Sequence, residues 1–223
     1  MTTASPTARK LLWVSVFGIA FAFVESSVVA YLRALYYPEG FTFPLKLMTP
    51  QHLLVELSRE AATIIMLVAV GVLAGRKAWE RFGYFMVAFG IWDIFYYVWL
   101  KVVLDWPARL DDWDILFLMP LPWIGPVIAP VLISLLMTVC GAVICLRVER
   151  ELFFRPRAGS WILSSLGTLI ILYSFMADTP ATVHGHQPLP YHYGLLGGGL
   201  ILYIAAFILA CRSSVAPQGD TNG

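Results

Sequence analysis

Three carboxylates stand inside or at the edge of long apolar runs: Glu25, Glu60 and Asp93. An ionisable side chain among apolar neighbours is costly to keep, so such residues mark sites by default. Two carboxyls in a low-dielectric pocket can divide the roles of proton donor and proton acceptor between them. Asp93 and Glu25 are the expected pair, and Glu25, Asp93 and Glu60 are the candidate catalytic residues. Asp93 has Trp92 beside it, and Tyr97 and Lys101 follow one and two helical turns later, a polar stripe that drifts slowly around a helix. Gly90 leaves room beside it. Arg59 lies between Glu56 and Glu60, which share one face and repel each other unless a cation bridges them. Arg59, Tyr97, Lys101, Trp92 and Trp123 are the candidate substrate-binding residues, with Trp123 expected in a cap over the site.

Glu25 has Gly18, Ala22 and Val29 on its own helical face, a small surface that lets another helix approach. Other polar groups carry less. Asp105, Asp111 and Asp112 read as solvated loop acids, and Asp114 and Asp178 as ends of helices or loops. His184 and His186 have metal-ligand spacing, but no intramembrane His and no Glu-x-x-His pair accompanies them, so no metal and no cofactor is expected. Cys140, Cys145 and Cys211 read as small packing residues. There is no P-loop, dinucleotide fingerprint, nucleophile elbow or zinc-protease helix motif.

These residues need elements to hold them, and composition says which. Of 223 residues, 59% are hydrophobic and 13% charged, whereas a soluble chain carries about 25% charged residues. A spanning helix needs about 20 apolar residues. Six segments qualify: 11–32, 53–75, 83–104, 126–146, 161–177 and 194–211. The expected fold is an all-α integral membrane protein, a six-helix transmembrane bundle in one domain over 1–212, with a disordered cytoplasmic tail at 213–223. The stretch from Ile115 to Leu146 is too long for one span, and Pro120, Pro122, Pro126 and Pro130 interrupt it. It predicts a re-entrant or interfacial segment before a kinked fourth helix. Gly71 with Gly75, and Gly194 with Gly198, predict close helix packing.

Lys and Arg in short loops orient the bundle. Arg9, Lys10, Arg76, Lys77, Arg81, Arg147, Arg150, Arg155, Arg157 and Arg212 fall on one side, ten of the 15 cations, while ten of the 14 acids avoid it. That places the protein in the cell membrane with both termini cytoplasmic. Arg9-Lys10 and Ala20-Phe21-Ala22 have the look of a signal peptide, but the apolar run continues through Val28-Val29-Ala30, so the first segment is expected to stay as an anchor. The net charge of +1 excludes a nucleic-acid partner, which needs a basic patch. The bilayer is the expected partner, and oligomeric state is not specified. The best functional expectation is an intramembrane enzyme using acid/base carboxylates on a lipid-like or other apolar small molecule. A non-catalytic assembly or binding subunit and a small proton-linked transporter are the alternatives.

Overall fold

The computed structural model describes residues 5–43, 46, 48–119, 121–152, 154–179 and 186–212. Six helices within it are long and apolar enough to cross a membrane. They are α1 (Pro6–Tyr36), α2 (Pro50–Ala74), α3 (Ala78–Leu104), α4 (Ile128–Glu149), α5 (Ala158–Met176) and α6 (Tyr193–Arg212). Their outward faces are apolar, with Leu12, Trp13, Ile65, Leu73 and Ile201 each more than half exposed.

Local sequence sets the ends. Ser5 caps α1 by accepting from the Ala8 amide, and Thr49 caps α2 by accepting from the His52 amide. Pro6 and Pro50 follow at first helical positions, where no N–H is needed. These caps start both helices earlier than apolarity alone suggests. The α2–α3 turn is closed by Glu80, whose carboxylate accepts from the Arg76 amide at 2.7 Å. Asp105 ends α3 in the left-handed conformation at φ 52°.

The proline-interrupted stretch is an antiparallel hairpin of β1 (Trp113–Phe117) and β2 (Trp123–Pro126). Asp114 pairs with Gly125 and Ile115 with Ile124, and the register shifts before Phe117. Helix α4 therefore starts at Ile128, two residues later than expected. Pro130 sits in its first turn, where a missing amide leaves the helical ladder whole. Asp114 is thus in a strand and not at a loop end. Pro120, His184 and the 213–223 tail lie outside the described residues.

Helix α3 is the centre of the bundle and packs on α1, α2 and α4. Gly90 makes the α3–α4 approach possible, since a Cβ there would collide with the Thr138 hydroxyl and the Ser134 carbonyl oxygen. Helices α5 and α6 form a separate pair. Its contact runs through Gly199, where a Cβ would strike Ile171. This corrects the expectation for Gly194 and Gly198, which face open space. The pair joins the rest through the hairpin, with Trp123 stacked on Phe175 at 6.4 Å and Trp113 against Tyr191 at 6.0 Å.

Candidate active site

Near the hairpin end of the bundle, α1, α2, α3 and β1 enclose a cavity of about 110 Å³. Glu25, Arg33, Glu56, Arg59, Glu60, Asp93 and Asp114 all line it, five carboxyls against two guanidiniums. Helix periodicity brings them there. On α1, Gly18, Ala22, Glu25 and Arg33 are all buried along one stripe. On α2, Glu56, Glu60, Thr63, Leu67 and Gly71 form the equivalent stripe.

Each acid is held differently. Arg59 donates from Nε and Nη2 to Glu56 Oε2 at 2.9 and 2.7 Å, and it also pairs with Glu25 across the α1–α2 contact. Thr63 donates its hydroxyl to Glu25 Oε2 at 3.2 Å. Glu60 has no cation within ion-pair distance among the described residues. It accepts instead from the Leu118 amide, 3.0 Å from both carboxylate oxygens, so the chain just after β1 closes over it. Asp93 is 8% exposed and accepts from Ser134 of α4 at 2.8 Å. Among the described residues no cation pairs with it either.

Asp114 and Arg33 form a second buried pair at 2.9 Å. The Arg33 guanidinium lies 3.7 Å from the Trp106 ring centroid and 4.4 Å from that of Phe41. Burial pushes the Asp114 carboxyl above the usual carboxylate range, and Arg33 pulls it part of the way back. Among the described residues, Asp114 Oδ2, Arg33 Nη1 and Trp92 Nε1 are buried with no hydrogen-bond partner. All three residues line the cavity, so the wall offers one acceptor and two donors to a polar occupant.

The structure gathers Glu25, Glu60, Asp93, Arg59, Tyr97 and Trp92 at this cavity and leaves two of the expected residues out. Lys101 pairs with Asp105 at 2.7 Å on an exposed surface, because the drifting stripe has turned away from the cavity by its second turn. Trp123 does not line the cavity and packs between Phe117 at 5.6 Å and Phe175. The cap over the site is the Phe117–Leu118 backbone, not Trp123. Arg33, Asp114, Thr63 and Ser134 were missed. Arg33 was legible, because it continues the Gly18, Ala22, Glu25, Val29 stripe by one more turn. Asp114 was not, since nothing in its loop-like surroundings announces a strand.

The loop acids are engaged. Asp111 takes Arg109 at 2.8 Å, and Asp112 accepts from the amides of Ala108 and Arg109. Among the described residues no group of three His, Cys, Asp or Glu could hold a metal ion. Compared with known proteins, the chain matches no family model, no curated protein and no solved structure.

Proposed function

We propose that this chain is a multi-pass membrane protein, both termini cytoplasmic, whose outer-side cavity carries out acid/base chemistry on a lipid-like or apolar small molecule. Membrane placement rests on six long apolar helices with apolar outward faces. Orientation rests on the cations gathered at the end away from the hairpin.

The observation that carries the chemistry is the excess of carboxyls over cations in one buried cavity. Arg59 accounts for Glu25 and Glu56, and Arg33 for Asp114. Among the described residues Glu60 and Asp93 are left without an ion pair, one held by a backbone amide and one by a hydroxyl. A structural cluster is expected to close its charges; this one leaves two carboxyls available to give and take a proton. In the proposed division, Asp93 and Glu60 exchange protons with the substrate, while Arg59 with Glu25 fixes the wall opposite. Tyr97 and Trp92 bound the pocket for the substrate's reacting end. The volume suits a headgroup or a small molecule, with any long apolar tail lying in lipid.

Transport fits less well. Between the cavity and the cytoplasmic end, the α1–α3 contact is filled by Val14, Phe17, Phe21, Ala88 and Phe89. Those side chains make an apolar layer at that contact.

The test is turnover in vesicles formed from total membrane lipid, with purified protein reconstituted and extracts followed by mass spectrometry. Wild type should deplete one lipid or apolar species over time, and the Asp93→Asn, Glu60→Gln double variant should not. Identical extracts from wild type, double variant and empty vesicles would overturn the enzymatic reading.

A further inference from the structure

At the end opposite the acidic cavity, α3 and α4 part from the α5–α6 pair and leave a second cavity of about 300 Å³. Its walls are apolar: Phe82 and Met86 of α3, Leu136 and Met137 of α4, and Ala206 and Phe207 of α6. The cleft exists because the α5–α6 pair is fastened to the bundle through the hairpin at the other end, while α6 touches α4 only lightly. Three hydroxyls break the apolar lining, those of Ser160, Ser164 and Tyr203, and the last two are hydrogen-bonded, to the Trp161 carbonyl and to Thr168. Ser160 is 4% exposed, lines the cavity, and among the described residues has no hydrogen-bond partner for its hydroxyl.

Ser160 belongs to the first turn of α5, a 19-residue helix with no side-chain cap at Arg157. The first amides of a helix form an anion site when nothing caps them. Arg155 and Arg157 precede this turn, both exposed and without an ion pair among the described residues. Arg147, in the last turn of α4, donates to the Cys211 carbonyl at 2.9 Å, and among the described residues its Nε is buried without a partner. An apolar slot ending at an uncapped helix start, a buried hydroxyl and two arginines just before that helix matches one chemistry, an acyl chain bearing a phosphate.

We propose that this cleft is a binding site for an anionic phospholipid of the cytoplasmic leaflet. One acyl chain fills the slot between α4 and α5–α6, and the phosphate sits at the first turn of α5, against Ser160 and Arg157. The lipid completes the packing of the α5–α6 pair and so steadies the hairpin that covers the acidic cavity. The inference rests on the membrane placement and orientation proposed above, and not on the acid/base chemistry.

The test reconstitutes the full chain into nanodiscs of phosphatidylglycerol or of phosphatidylcholine and counts lipids retained after release, by native mass spectrometry. Three proteins are compared: wild type, the slot-filling Ala206→Phe, and the Arg155→Gln, Arg157→Gln pair. Wild type from phosphatidylglycerol should keep at least one lipid that Ala206→Phe loses, and the arginine pair should lose it several-fold more readily. Phosphatidylcholine should be retained less in wild type. Equal retention in wild type and Ala206→Phe, or indifference to headgroup and to both arginines, would overturn the proposal. A wild-type dimer that excludes lipid and is broken by Ala206→Phe would overturn it too, giving the cleft to a second copy. Asp93→Asn should retain the lipid as wild type does, whatever its effect on turnover. Failure of the chain to enter nanodiscs would instead defeat the membrane reading itself.

Discussion

Ser134 of α4 donates its hydroxyl to Asp93 of α3 at 2.8 Å, across a helix contact that only a glycine at position 90 permits. The bond therefore reports how closely α3 and α4 approach. Gly90→Ala should lower stability by about 1–3 kcal/mol, the usual penalty for overpacking. Thermal unfolding in detergent checks this, with Gly198→Ala as a control, because its added methyl meets open space. Equal melting temperatures for the two variants would mean that the helices can separate at no cost.

Among the described residues Arg59 is the one cation paired with two acids, Glu25 and Glu56. Removing it leaves both carboxylates in a buried cavity, and breaking one partner of a buried pair costs about 3–5 kcal/mol. Arg59 is partly exposed, which places its loss toward the low end. Arg59→Gln should be destabilising, and adding Glu25→Gln should recover part of the loss. A double-mutant cycle on chemical unfolding measures the coupling; purely additive losses would remove Arg59 as the bridge between α1 and α2.

Asp114 gives a signed pH dependence. Its carboxyl is raised in the folded protein, so the native state holds the proton more tightly than the unfolded chain does. That contribution is fully present below the ordinary carboxylate value of about 3.9 and is lost as pH rises through the native one. Asp114→Asn cannot titrate. The stability difference between wild type and variant should thus favour wild type most at the acid end and shrink as pH rises. Melting curves for both proteins from about pH 4 to pH 8 test the sign. A difference that grows with pH would mean Arg33 outweighs burial at this site.

Topology is open to direct test. Reporter fusions after Lys77 and Arg157 should read cytoplasmic, and fusions near Lys46 and Arg109 should read external. The reverse result would invert the protein and place the acidic cavity on the cytoplasmic side.

The helices were legible because apolar runs of spanning length have few other uses. Their ends were less so: Ser5 and Thr49 extend α1 and α2 through capping, which hydropathy does not register. Site residues followed helical spacing where a helix carries them, as for Glu25, Glu60 and Asp93. Spacing failed at Lys101, because a four-residue step drifts around the helix and by two turns has left the face. It failed again at the hairpin, where Asp114 lines the cavity while Trp123 stacks on Phe175 of α5, a division that regular alternation with Asp114 opposite Gly125 would not give and that accompanies the register shift between Ile115 and Phe117. Four prolines announced irregular backbone there but not which side of it would face inward.

Asp93 decides between chemistry and architecture. The measurement is Asp93→Asn alone, assayed for turnover in the reconstituted vesicles and for melting temperature in the same preparation. The amide keeps the size of the carboxyl and can still accept from Ser134, but it cannot exchange a proton. The account expects turnover lost by at least about a hundredfold, within the range for removal of a general acid or base, with the melting temperature near that of wild type. A variant that turns over normally, or one whose loss of activity merely follows a loss of stability, would contradict it.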